Sequence, residues 1–190
     1  QGPQHSQSLQ ALFAHIPGFR VIMPTTPHDA KGMLIAAIED DNPVICLEHR
    51  WLYGVREHVP EGGYRVDLNT ASVVRPGTDV TLIGVSYMTV ECLAASLLLE
   101  EVGISAEVVD LRSIRPLDVE RILESVQRTG RVLTVDNAHV AGGMSAEISA
   151  VVSEFGFDQL KVAPQRLGFP DYPTPTSPAL ADRYYSLPHE

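Results

Sequence analysis

Between Ala71 and Leu167 short apolar runs of strand length alternate with longer helical patterns, and no other feature of this 190-residue chain restricts its fold so tightly. Strands are expected at 71–74, 79–85, 105–110, 131–135 and 161–167, with helices at 87–102, 117–128 and 143–155 between them. A chain that returns through a helix between strands lays those strands parallel, and such a sheet needs cover on both faces. The fold class is therefore α/β, a mainly parallel sheet flanked by helices. Gly103 falls where a helix end wants a left-handed residue, and Pro116-Leu117-Asp118 offers a helix start.

The stretch before this rhythm is organised differently. Over Ser8 to Ile16, residues Leu9, Leu12, Phe13 and Ile16 recur at helical spacing and predict one apolar face. Arg20 to Met23 reads as a short strand. Thr26-Pro27-His28-Asp29 supplies a threonine cap, a proline at the first helical position and an early acid, so a helix should begin at Pro27. Its expected core face is Ala30, Leu34, Ala37 and Ile38, and Asp40-Asp41-Asn42-Pro43 should end it before a strand at Val44 to Glu48. Pro60, Gly62 and Gly63, among charged neighbours, mark residues 56–66 as a linker. Residues 1–55 then form a fragment with too few elements to cover its own sheet, and residues 67–190 a second, complete domain.

The formal net charge of −10 leaves no basic surface to neutralise phosphates, so no nucleic-acid partner is expected. Apolar runs such as Leu82 to Val85 and Ala94 to Leu99 fall far short of the roughly 20 residues that cross a bilayer, and no membrane partner is expected. Gln1 to Gln7 shows no basic-then-apolar leader. Cys46 and Cys92 sit inside apolar runs, as buried thiols do in a reducing, cytoplasmic compartment.

Portable metal, P-loop and dinucleotide motifs are absent from the sequence. Of the seven histidines, solvated or structural roles are expected for His15, His28, His49, His58, His139 and His189. His5 differs, because Gln4-His5-Ser6-Gln7 lies just before a helix, where a loop imidazole can face a cleft. Gly142-Gly143 opens a helix after a strand, either to hold an anion on free amides or, the favoured reading, to turn tightly onto the sheet. Arg50-Trp51-Leu52-Tyr53 is expected to pack on the linker.

Several segments together resemble one family, the beta subunits of thiamine-diphosphate-dependent pyruvate, branched-chain 2-oxoacid and acetoin dehydrogenases. They are Gln4-His5-Ser6-Gln7 with Ala11 to Gly18, Pro24-Thr25-Thr26-Pro27 with Asp29 to Gly32, and Asp110-Leu111-Arg112 with Arg115 to Asp118. Gly142-Gly143 with Ala146-Glu147-Ile148, and Pro170-Asp171, Pro175 and Pro178-Ala179-Leu180, follow in the family's order. The resemblance implies that residues 1–55 end a pyrimidine-binding domain whose upstream half, with the glutamate that activates the cofactor, is missing. Residues 67–190 would be a transketolase C-terminal domain.

By the same resemblance His5 is the catalytic histidine, acting on the intermediate and in acyl transfer to the lipoyl arm. Ala37, Ile38, Asp40 and Asn42 match a potassium-binding turn. No cofactor-binding residue is assigned; thiamine diphosphate and its magnesium are expected mostly outside this stretch, on an alpha subunit. The implied partners are that alpha subunit, a second beta subunit, a lipoyl acyltransferase core and a small 2-oxoacid, while this chain alone is expected to be inactive. A transketolase or 1-deoxyxylulose-5-phosphate synthase is the rival, kept open by Arg50 in Leu47-Glu48-His49-Arg50, and a non-catalytic assembly module is another. The resemblance leaves pyruvate, a branched-chain 2-oxoacid and acetoin equally open as substrates.

Overall fold

Residues 2–184 are described by a computed structural model; His189 and the end of the 67–190 domain lie outside them. The first part carries α1 (Gln10–Ala14), β1 (Arg20–Ile22), α2 (Pro27–Glu39) and β2 (Val44–Cys46), followed by a 3-10 turn at Arg50–Gly54. Strand β2 runs parallel to β1, with Arg20 opposite Val44 and Ile22 opposite Cys46. Helix α2 starts as its sequence dictates: Thr26 is the N-cap, and its hydroxyl accepts from the Asp29 amide at 3.0 Å.

Both helices of this part turn an unexpected face inward. In α1, a single turn and a half, Gln10 and Ala14 are buried while Leu9, Leu12 and Ile16 are exposed. In α2 the buried side is Asp29, Gly32 and Met33, whereas Ile38, expected in the core, is 75% exposed and Leu34 47%. The reason is the placement of the cover. Residues 56–66, expected to be a linker, form no helix or strand, yet their continuation straps across α2. Val66 and Leu68 join Ile22 and Met33 in one apolar cluster, and Tyr64 stacks on His28 at 4.7 Å while donating its hydroxyl hydrogen to the His28 carbonyl at 2.8 Å. A Cβ on Gly32 would lie 2.5 Å from the Val66 side chain, so the strap approaches the helix as closely as glycine allows. The stripe through Leu34 and Ile38 is left without cover.

The second part follows the expected rhythm: β3 (Ser72–Arg75), β4 (Val80–Gly84), α3 (Tyr87–Glu101), β5 (Ala106–Asp110), β6 (Ser113–Arg115), α4 (Val119–Thr129), β7 (Val132–His139), α5 (Met144–Phe155), β8 (Gln165–Phe169) and α6 (Pro178–Tyr184). The five-stranded sheet has the order β3-β5-β4-β7-β8. Its ladders are parallel except for β3, which is antiparallel to β5 at an edge. Asp118 caps α4 by accepting from the Arg121 amide at 3.0 Å and also takes the Ala71 amide at 2.8 Å, tying the start of β3 to that helix.

Strand β6, like the short α6, is an element the sequence does not announce. It leaves the second part and pairs antiparallel with β1, giving a separate sheet of order β2-β1-β6. Three residues are too few for a period to register. Through this pairing the core is continuous: Ala14, Val21 and Met23 of the first part pack with Ile83, Val109, Ile114, Ile122 and Val152 of the second.

Candidate functional site

Parallel strands collect polar groups at their C-terminal ends, and that edge of the five-stranded sheet is where the two parts meet. The positive-φ non-glycine residues among those described, Ser86 and Arg112, both at φ +54°, follow β4 and β5 there. Asp110, the last residue of β5, is fully buried between them. Its Oδ1 accepts from the Thr89 hydroxyl at 3.1 Å and the Arg112 amide at 3.1 Å, while Oδ2 lacks a partner. Burial pushes the Asp110 carboxyl up to about 6, against the lowering effect of Thr25, of the Arg112 amide and of Thr89; nearby Asp29 raises it further.

Arg112 carries the junction outward. Its Nη1 pairs with Asp29 of α2 at 3.5 Å and its Nη2 donates to the Thr70 carbonyl at 2.8 Å. Ser86 donates to the Pro24 carbonyl at 3.3 Å, and Thr25 donates to the Ser86 carbonyl at 3.2 Å. The segment Pro24-Thr25 is thereby bonded from both sides to the start of α3.

The end of β7 makes a second polar junction. Asp136 Oδ1 accepts from Gln10 Nε2 at 2.8 Å and from the Ala138 amide at 3.1 Å. Burial raises the Asp136 carboxyl, while Ala138, Gln10 and the first-turn amides of Met144 and Ser145 favour its charge. Its Oδ2 lies against that turn without closing a direct hydrogen bond. The helix start at Gly142-Gly143 thus faces the chain's own carboxylate rather than an open anion site. A Cβ on Gly143 would come within 2.4 Å of the His139 carbonyl, which agrees with the tight-turn reading.

An open cleft of about 980 Å³ runs beside this junction between α1, β1 and the starts of α4 and α5. Its polar rim includes His15, Arg20, Asn42, Asn69, Arg115 and Glu147. Of the residues singled out from sequence, Asn42 and Gly142-Gly143 reach this cleft; His5 does not. His5 sits exposed on a turn, its amide donating to the Gly2 carbonyl at 3.3 Å.

The turn after α2 has the oxygen-rich chemistry a large monovalent cation needs, because helix-end carbonyls lack intrahelical partners. Asp40, however, is already engaged. Asn42 donates to its Oδ1 through the backbone at 2.8 Å and the side chain at 2.7 Å, and Arg20 Nε meets Oδ2 at 2.7 Å. These contacts hold the Asp40 carboxyl below the usual range, Asn42 contributing most. Among the described residues no cluster of three or more His, Cys, Asp or Glu could hold a metal ion.

The aromatic segment after β2 has ring partners on α3. His49 stacks on Tyr87 of α3 at 4.9 Å, and Trp51 meets the same ring edge-on at 4.9 Å. Gln10, Asp110 and Asp136 escaped the sequence reading as site residues. A carboxylate closing an apolar strand was the available signal for the two acids; nothing local marks Gln10 as buried.

Similarity to known proteins covers both parts. The family described as transketolase, C-terminal domain, matches residues 69–189, and that described as transketolase, pyrimidine binding domain, matches residues 1–56. The acetoin:2,6-dichlorophenolindophenol oxidoreductase subunit beta of Cupriavidus necator is 45% identical over 181 residues, 95% of this chain and 54% of that protein. The pyruvate dehydrogenase E1 component subunit beta of Bacillus subtilis is 44% identical over 176 residues, 92% of this chain and 54% of that protein. The 2-oxoisovalerate dehydrogenase subunit beta of the same organism is 40% identical over 96% of this chain and 56% of its own length. A solved split gene transketolase, an inactive beta4 tetramer, superposes with a TM-score of 0.75 at 31% identity, over 92% of this chain and 55% of that one. The chain spans about half the length of the curated relatives it matches.

Proposed function

Since the chain belongs to the transketolase C-terminal domain family, we propose that it is the C-terminal part of a beta subunit of a thiamine-diphosphate-dependent 2-oxoacid dehydrogenase. It would act in oxidative decarboxylation of a 2-oxoacid and transfer of the acyl group to a lipoyl arm. The observation that carries this reading is the identity of 40–45% to beta subunits of acetoin, pyruvate and branched-chain oxidoreductases, running through both parts of the chain.

Thiamine diphosphate, when bound, supplies the electron sink that side chains lack. This chain contributes the imidazole of His5, exposed on its turn, whose ring nitrogens could donate a proton to an acyl oxygen or a lipoyl sulfur. No residue here is assigned to the cofactor; an alpha subunit would hold its diphosphate and magnesium. The uncovered apolar stripes of α1 and α2, with Leu12, Leu34 and Ile38, support burial against further chain or a partner. Such partners are the alpha subunit, a second beta subunit and an acyltransferase core.

Potassium would sit on the carbonyls of Ala37 and Ile38 with Asp40 and Asn42, sharing Asp40 with Arg20. Cys46 and Cys92 are free, and burial pushes their thiols up to about 11 and about 12, which suits inert residues of a reducing cytoplasm. No helix among the described residues is long and apolar enough to cross a membrane.

The test is co-expression of the full-length subunit with its alpha partner, followed by 2-oxoacid-dependent reduction of an artificial acceptor with and without thiamine diphosphate and magnesium. Turnover that needs the cofactor, with lipoyl acylation lost in His5→Ala, is the expected result. Activity on a ketose phosphate alone would transfer the chain to the transketolases, and inactivity on both would leave an assembly module.

A further inference from the structure

We infer that Gln10, acting through Asp136, is a positioning residue for His5, and that the C-terminal domain holds both ends of the segment that carries this histidine. The inference rests on the assignment of His5 made above and names what orients it.

Residues 3–9 form no helix or strand, so the position of His5 depends on how the ends of this segment are tied. At the downstream end stands α1, five residues long with no side-chain cap, which is too short to persist by its own hydrogen bonds. Besides the packing of Ala14 in the core, what ties it down is Gln10, 2% exposed, whose Nε2 donates to Asp136 Oδ1 at 2.8 Å and to Asn137 Oδ1 at 3.2 Å. A buried bond to a carboxylate is among the stronger kinds, and this acceptor is itself fixed by the Ala138 amide at 3.1 Å.

The upstream end lies close against the same side of the molecule. Gly2 is buried at φ +71°, and a Cβ there would lie 3.1 Å from the Thr176 hydroxyl. Thr176 belongs to the tail that leaves β8, and that tail is tied to the end of β7 by His139 Nδ1 with the Pro170 carbonyl at 2.6 Å and by the Val140 amide donating to Phe169 at 3.0 Å. The side-chain hydrogen bonds of Gln10 and the neighbour of Gly2 therefore come from residues that follow position 135 in the chain, although the segment itself belongs to the first part.

A loop pinned at two points samples far fewer positions than one pinned at a single point. Proton transfer is intolerant of such sampling, because a displacement of about 1 Å can cost on the order of a hundredfold in rate. Gln10 and Asp136 touch no reacting atom in this arrangement; they act only by fixing where the imidazole can be.

The experiment uses the full-length subunit assembled with its alpha partner and compares Gln10→Met, which keeps the volume but removes the donor, with the unmodified protein. Hydrogen exchange of the peptide spanning residues 3–9 is expected to quicken in Gln10→Met while the five-stranded sheet stays protected. Lipoyl acylation should fall on the order of tenfold, with KM for the 2-oxoacid unchanged and with no further loss when combined with His5→Ala. Asp136→Asn, which keeps an acceptor oxygen, should recover activity that Asp136→Ala loses. Gly2→Ala strains the other pin and carries the same exchange test if Gln10→Met does not assemble. Unchanged exchange over residues 3–9, or a loss that multiplies with that of His5→Ala, overturns the proposal. Quickened exchange beside a fully active His5→Ala would retain the pinning and remove the catalytic assignment of His5 instead.

Discussion

Replacing Asp110 with asparagine asks whether burial sets the ionisation of the junction between the two parts. Burial lifts this carboxyl from 3.8 to about 6, so between those pH values the folded protein holds a proton that the unfolded chain has released. Folded proteins with more bound protons lose stability as pH rises, so the penalty is absent below about pH 4, grows through the window and is complete above about pH 6. A rise of that size corresponds to about 3 kcal/mol at pH 7. Asparagine cannot ionise, and its carbonyl still accepts from Thr89 and the Arg112 amide. Its NH₂ would occupy the place of Oδ2, which has no partner, at a cost of about 1–3 kcal/mol. Near pH 7 the gain and the cost nearly cancel, so the informative quantity is the slope. Urea midpoints measured from pH 4 to pH 8, at constant m value, should show the native protein falling relative to Asp110→Asn by up to about 1.4 kcal/mol per pH unit between pH 4 and 6. Asp136, also raised by burial, contributes equally to both proteins and drops out of the difference. Parallel profiles would refute the reasoning and mean that the hydrogen bonds from Thr89 and the Arg112 amide, not burial, govern Asp110.

Gly77→Ala should destabilise the chain by more than about 3 kcal/mol in thermal or urea unfolding, since its Cβ would fall 2.2 Å from the Ala106 carbonyl carbon and the Glu107 amide of β5. Gly54→Ala, with nothing within 4 Å, is the control and should stay within about 0.5 kcal/mol of the parent. Asp118→Ala removes both the cap of α4 and the acceptor of the Ala71 amide, and should cost about 1–3 kcal/mol, with helix α4 losing hydrogen-exchange protection first.

Local physics is what the sequence displays, and it determined the elements of the second part other than β6 and α6 to within a few residues. The cap at Thr26, the start at Asp118 and the left-handed glycine at Gly103 are properties of neighbours along the chain, so they are readable without the fold. The place of His5 just before a helix set it apart from the other imidazoles, but only the resemblance gave it a role, since an exposed loop histidine carries no local mark of chemistry. Tertiary structure alone decided that Gln10 and Met33 face inward while Leu12 and Ile38 face out, because a helical stripe shows where apolar residues lie but not which of them finds cover. It also decided that β6 crosses to pair with β1, and that Asp136 receives a side chain 126 positions away. Those contacts exist only once distant segments are packed together: the energy of a buried bond or a covered methyl group depends on what lies across the interface, and no pattern along the chain records it.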